Sequence, residues 1–147
     1  MIAIDTNILV YAFRADSQWH EGARRHIRGL AEGLEPWAIP WPCLHEFLCI
    51  VTHPRIFEEP SPLDMGLSAI AAWCQSPSLR LLSESENYFR YLRDVSLVGR
   101  IQGPRIHDAR IAALCLDHGV RELWTADRDF SRFPALRTKN PLLGVAP

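Results

Sequence analysis

Hydrophobic positions alternate along the chain between short continuous runs and helical stripes. Met1 to Asp5 is an apolar run ending on an acid and followed by Thr6-Asn7, which predicts a buried strand that stops and turns. Ile8 to Phe13 fits a short helix. From Gln18 to Leu34 the positions Ala23, Ile27, Leu30, Ala31 and Leu34 recur at intervals of three and four, the spacing of an amphipathic helix. Trp37 to Pro40 reads as a short strand. Pro40 and Pro42 open the next helix, whose stripe is Leu44, Phe47, Leu48 and Val51 and whose end is set by His53-Pro54.

The second half repeats the alternation. Ser61 as cap and Pro62 as first residue start a helix with the stripe Leu67, Ile70, Ala71 and Cys74. Leu79 to Leu82 is another short strand. Ser83 or Ser85 caps a helix running to about Val98, with Gly99 as its stop. Ile106 to His118 is a further helix closed by Gly119, and Val120 to Thr125 is an apolar strand leading into Ala126-Asp127. Asp129 to Phe133 makes a short turn or helix, and Leu136 to Leu143 a weak edge strand. Short strands separated by helices predict an α/β fold, a three-layer sandwich whose short, mainly parallel central sheet is flanked by helices. With no repeat, low-complexity stretch or linker, residues 1–147 are expected to form one domain.

Composition narrows the class. An apolar fraction of 48% excludes intrinsic disorder. No apolar run approaches the ~20 residues needed to cross a bilayer. The first residues carry no basic segment and an acid at position 5, unlike a signal peptide, so a cytoplasmic protein without membrane contact is expected. A net charge of -1 gives the whole molecule no pull toward nucleic acid. Of the 16 basic residues only Lys139 is lysine, a bias that suits phosphate recognition but that genomic base composition also produces. Cys43, Cys49, Cys74 and Cys115 lack C-x-x-C spacing and are expected to be buried thiols.

Candidate chemistry gathers at the acids. Asp5 and Asp127 each follow a predicted strand, and ligands of open parallel sheets bind beyond the carboxyl ends of strands. Asp108 opens a predicted helix, and Glu46 stands beside the Leu44/Phe47/Leu48 stripe, where a carboxylate is costly unless paired or metal-bound. Each has an ordinary explanation: Asp5 as a helix cap, Asp108 at a helix dipole, Glu46 meeting an arginine, Asp127 in a turn. Only the four together make a site.

Four segments in order carry a resemblance: Ile4-Asp5-Thr6-Asn7; Glu46 followed by Val51-Thr52-His53-Pro54-Arg55-Ile56-Phe57; Ile106-His107-Asp108-Ala109; and Thr125-Ala126-Asp127-Arg128-Asp129-Phe130. The chain resembles the PIN-domain ribonucleases, in particular the VapC toxins of bacterial toxin–antitoxin pairs. That resemblance implies a PIN fold and a Mg²⁺ or Mn²⁺ site formed by Asp5, Glu46, Asp108 and Asp127, with Asp129 as a further candidate acid. It implies metal-dependent hydrolysis of RNA phosphodiesters, leaving a 5′-phosphate and a 3′-hydroxyl. It also implies a VapB-like antitoxin as partner and a homodimer.

Hard divalent cations choose carboxylate oxygens, and clustered carboxylates stay ionised together only around a cation. Thr6 and Asn7 are expected to orient Asp5 or a metal water, and Thr125 to hydrogen-bond such a water or an acid. Arg128 can approach phosphate or the partner protein, with a solvated arginine as the default. His107 and His53 read as structural. Two alternatives stay open: an inactive PIN-like module that binds RNA or protein, and a DNA nuclease of the 5′-nuclease type. A haloacid-dehalogenase-like phosphatase needs an acid at position 7 and a catalytic lysine, and finds Asn7 and only Lys139.

Overall fold

A computed structural model describes residues 1–144. Its elements are β1 (Ile2–Ile4), α1 (Thr6–Phe13), α2 (His20–Glu32), β2 (Trp37–Pro40), α3 (Trp41–Val51), α4 (Leu63–Cys74), β3 (Leu79–Leu82), α5 (Tyr88–Val98), α6 (Ile106–Asp117), β4 (Glu122–Trp124) and β5 (Thr138–Lys139). Short 3₁₀ turns at Gly103–Arg105 and Arg128–Arg132 precede α6 and follow β4. The five strands form one sheet in the order β3-β2-β1-β4-β5, every pairing parallel, flanked by the six helices.

β1 and β2 read as continuous apolar runs because helices cover the middle of the sheet. Ala3, Ile4, Trp37, Ala38, Ile39 and Leu123 are all fully buried. Register sets Ile2 against both Trp37 and Glu122, and Ile4 against Trp124. From β1 the chain first builds outward through β2 to β3, then returns to add β4 and β5 on the other side of β1. The strand order therefore reverses between β1 and β4, where the connections from their carboxyl ends diverge and leave a crevice.

Several local expectations change. Leu34 is 98% exposed, because α2 ends at Glu32 and leaves it outside the helix. Pro62, not Ser61, caps α4, and the Ser61 hydroxyl is taken by the Arg14 guanidinium. The side of α4 turned inward carries Gly66, Ala69, Ile70 and Trp73, whereas Leu67, Ala71 and Cys74 face solvent. The reason lies in α3: a Cβ at position 66 would stand 2.9 Å from Leu48 Cδ2, so the absent side chain at Gly66 is what lets the two helices meet. Cys49 and Cys74 are exposed and only Cys43 and Cys115 are buried. Asn87 rather than Ser83 or Ser85 caps α5, while Ser85 Oγ accepts from the Asn87 backbone N–H. The edge strand shrinks to Thr138–Lys139.

The ends of α5 and α6 are built alike. After α6, the Gly119 N–H donates to Leu116 and the Val120 N–H to Cys115, with Gly119 at φ +66°, a left-handed stop suited to glycine. After α5, the Arg100 and Ile101 N–H groups donate to Leu97 and Ser96 in the same pattern. There the left-handed residue is Arg100, at φ 49°, one place beyond Gly99. Gly99 has a packing role instead: a Cβ on it would lie 3.0 Å from both Phe133 Cε1 and the Val95 carbonyl.

Candidate metal centre

Asp5 is the hub of the crevice. It leaves the end of β1, caps α1 and is only 3% exposed, so its carboxylate must be satisfied by protein groups. Oδ1 accepts from the Thr6 N–H at 2.8 Å and from the Cys43 thiol at 3.7 Å. Oδ2 accepts from Asn7 Nδ2 at 2.8 Å and from the Thr125 hydroxyl at 2.7 Å. Burial dominates and pushes the carboxyl up. The Thr125 and Thr6 bonds oppose it, the Glu46 charge adds to it, and the outcome is a pKa of about 6. Burial also pushes the Cys43 thiol up, so it stays protonated and able to donate.

The same bonds join the loops after β1 and β4. Asn7 Oδ1 accepts from the Ala126 N–H at 2.9 Å, and its Nδ2 reaches Thr125 Oγ1 at 3.1 Å. Thr125 Oγ1 in turn accepts from the Asp127 N–H at 3.0 Å. Asp127 Oδ1 then accepts from the Asp129 N–H at 2.8 Å, capping the 3₁₀ turn and drawing Asp129 beside it. Glu46 projects from α3 and accepts from the Thr6 hydroxyl at 2.9 Å.

Asp108, in the first turn of α6, Asp127 and Asp129 each offer an oxygen within 4.8 Å of the others. Burial raises the Asp108 pKa first, followed by the charges of Asp127, Asp129 and Glu46, with Arg105 opposing. Asp108 feels Asp127 and Glu46, and Asp5 feels Glu46, but the tight trio among the described residues takes in Asp129. Asp5 and Glu46 stand behind it. Asn7 and the Thr6 N–H bond Asp5, the Thr6 hydroxyl bonds Glu46 instead of Asp5, and Thr125 bonds Asp5. Arg128 and His107 are exposed. His53 Nδ1 accepts from the Arg55 N–H just past α3, a helix-end role.

Oxygen-only donors of like charge, held close at the mouth of a crevice, fit a hard divalent cation, which would offset the repulsion that adds to burial in raising Asp108. A cation held in this way at the carboxyl edge of a parallel sheet suits phosphate-directed chemistry. Comparison with known proteins agrees. The chain matches the PIN domain over residues 2–136. A VapC ribonuclease of Mycobacterium bovis and ribonuclease VapC43 of Mycobacterium tuberculosis are each 35% identical over 144 residues, spanning 98% of this chain and 97% of theirs. VapC48 of Mycobacterium tuberculosis is 27% identical over 140 residues, 95% of this chain and 97% of its own.

Among solved structures, VapBC2 from Rickettsia felis, bound to a promoter DNA fragment, superposes with a TM-score of 0.69 at 21% identity. The match covers 95% of this chain and 98% of that one. VapC20 of Mycobacterium tuberculosis, described as a toxin that cleaves the sarcin–ricin loop, gives a TM-score of 0.63 at 18% identity, covering 89% of this chain and 93% of that one. The chain belongs to the PIN domain family, among the VapC ribonucleases. Nucleases of that family depend on metal, and an acid cluster is in place here.

Proposed function

We propose that this ribonuclease is the toxin of a toxin–antitoxin pair and that it hydrolyses RNA phosphodiesters at the crevice between β1 and β4, using Mg²⁺ or Mn²⁺. The observation that carries the reading is the convergence of Asp108, Asp127 and Asp129 in front of Asp5 and Glu46. These acids would hold the cation. When bound, it supplies a water of lowered pKa and offsets charge on the departing oxygen. The chain's own part is positioning. Asn7 and Thr125 fix Asp5, Thr6 fixes Glu46, and the turn capped by Asp127 fixes Asp129. No histidine is required as base, since none donates to or accepts from these acids among the described hydrogen bonds. A 5′-phosphate and a 3′-hydroxyl are the expected products.

A VapB-like antitoxin is proposed to silence the enzyme by covering the acids, a guanidinium being the group suited to pair with them. Two copies are proposed to form the working unit. Residues 1–147 are proposed to act as one PIN domain in a cytoplasmic protein, and no helix among the described residues is long and apolar enough to cross a membrane. The test is cleavage of single-stranded or loop RNA by the purified chain. Asp5→Asn or excess chelator should lower the rate by orders of magnitude. Undiminished cleavage in either would refute the reading, and metal-independent RNA binding without cleavage would support the inactive module.

A further inference from the structure

Next to the acids, a groove runs between α3 and α6. Pro42, His45, Glu46 and Cys49 line one wall, and His107, Arg110 and Ile111 the other. Glu46 is the acid held by Thr6, and His107 immediately precedes Asp108, so the groove opens directly off the centre. Arg110 is not free in it, since its guanidinium is held by Glu84 at 2.8 Å. At the α3 end stands Trp41, the first residue after β2, at the carboxyl edge of the sheet.

Trp41 is 40% exposed, although Trp37 and Trp124 are buried within the sheet. Its ring lies over His45, one helical turn on, with centroids 5.9 Å apart and planes inclined by 35°. An exposed indole costs free energy when left in water and offers a flat apolar face when something covers it.

We infer that Trp41, backed by His45, is a stacking platform for one unpaired base of the RNA, adjacent to the bond that is cut. The inference rests on the ribonuclease reading above and adds a subsite to it. Three features favour a base over another occupant. Unstacked bases of single-stranded RNA are bound chiefly on aromatic faces, because every base has one. His45, which backs the indole, lines the groove together with Glu46, so a strand whose phosphate sits at the acids can carry its neighbouring nucleotide along α3 toward Trp41. Its walls carry imidazoles and a paired arginine rather than an array of free cations, so recognition falls on the base and not on further backbone charge.

The experiment uses the full chain and short oligoribonucleotides in which one position at a time is abasic. In Mg²⁺ the wild type should cleave, with KM raised by one abasic position close to the cut. Trp41→Ala should raise KM for the intact oligonucleotide by roughly 5- to 100-fold, the usual worth of one base stack. Trp41→Phe should recover most of that loss. In Trp41→Ala the sensitive abasic position should lose its effect, because base and platform act as one unit. If Trp41→Ala keeps the wild-type KM, or keeps the same abasic penalty, the platform is refuted.

If sedimentation shows that Trp41→Ala changes the association of copies, the indole is a protein contact and the platform is likewise refuted. Binding in chelator separates this idea from the enzyme reading. The part of the fluorescence lost in Trp41→Phe should be quenched by single-stranded oligoribonucleotide in the wild type, whether or not the chain cleaves. Failure of cleavage with quenching intact would strike the nuclease reading alone, and absence of quenching would overturn the platform.

Discussion

Without metal, the buried Asp5 should make the protein less stable as pH rises, a sign opposite to that of a salt-bridged carboxylate. Its folded pKa of about 6 lies above the ordinary 3.8, so between those values the folded chain holds a proton that the unfolded chain has released. Stability contributed by the protonated form is complete below about pH 4, falls through the window up to about pH 6, and stays lost above it. The gap, at about 1.4 kcal/mol for each pH unit, amounts to about 3 kcal/mol at pH 7. The perturbation is Asp5→Asn, and the assay is urea unfolding in excess chelator at intervals from about pH 3.5 to 7. The variant sets an amide N–H₂ against Asn7 Nδ2, but that penalty is the same at every pH. Asp108, raised as well, remains in both proteins and largely cancels from the comparison. The stability of Asp5→Asn relative to wild type should therefore climb by about 3 kcal/mol from the acid end of the range to pH 7. A difference that stays constant with pH would refute the assignment of a buried, raised Asp5.

Mg²⁺ or Mn²⁺ should raise the wild-type melting temperature at pH 7, because only the folded chain presents the acids together. Asp108→Asn should melt higher than wild type in chelator and gain much less from metal, since it removes one of three charges held within 4.8 Å; equal responses to metal would disperse the site. Thr125→Val takes one hydrogen bond from Asp5 and leaves the Asp127 N–H unmatched, and should cost about 1–3 kcal/mol in chemical denaturation; a neutral result would contradict the geometry. Arg100→Gly relieves a left-handed residue at the end of α5 and should stabilise by about 0.5–1 kcal/mol, whereas Gly99→Ala should destabilise through Phe133; calorimetry of the two variants checks both signs.

What the sequence disclosed follows the range of the forces involved. The strand ending at Asp5 and the helix closed by Gly119 are set by neighbours in the chain, and both stand where the pattern places them. The inward side of α4 was illegible because Leu63, Met65, Leu67, Ile70 and Trp73 surround the helix with apolar groups. Only its partner α3 decides which of them is covered. The approach of Asp129 to Asp108 is not legible in spacing, because it depends on Asp127 capping a turn. The Cys43 bond to Asp5 leaves no mark in the sequence, because a buried cysteine looks like any small apolar residue and nothing local points to a partner 38 positions away.

The bond between Thr125 and Asp5 spans 120 positions of the chain. A ribosome adding about 5–20 residues per second makes the two ends of that bond roughly 6 to 24 s apart in synthesis. Until β4 emerges, β1 is an open edge and the crevice has one wall, so no nascent or prematurely terminated chain can assemble the acids. For an enzyme that cuts RNA, that ordering delays its own activity: the centre can assemble only after the segment carrying Thr125, Asp127 and Asp129 has been made. The same ordering exposes the backbone groups along one side of β1 throughout that interval, so stalled chains are harmless as nucleases but prone to pair with one another.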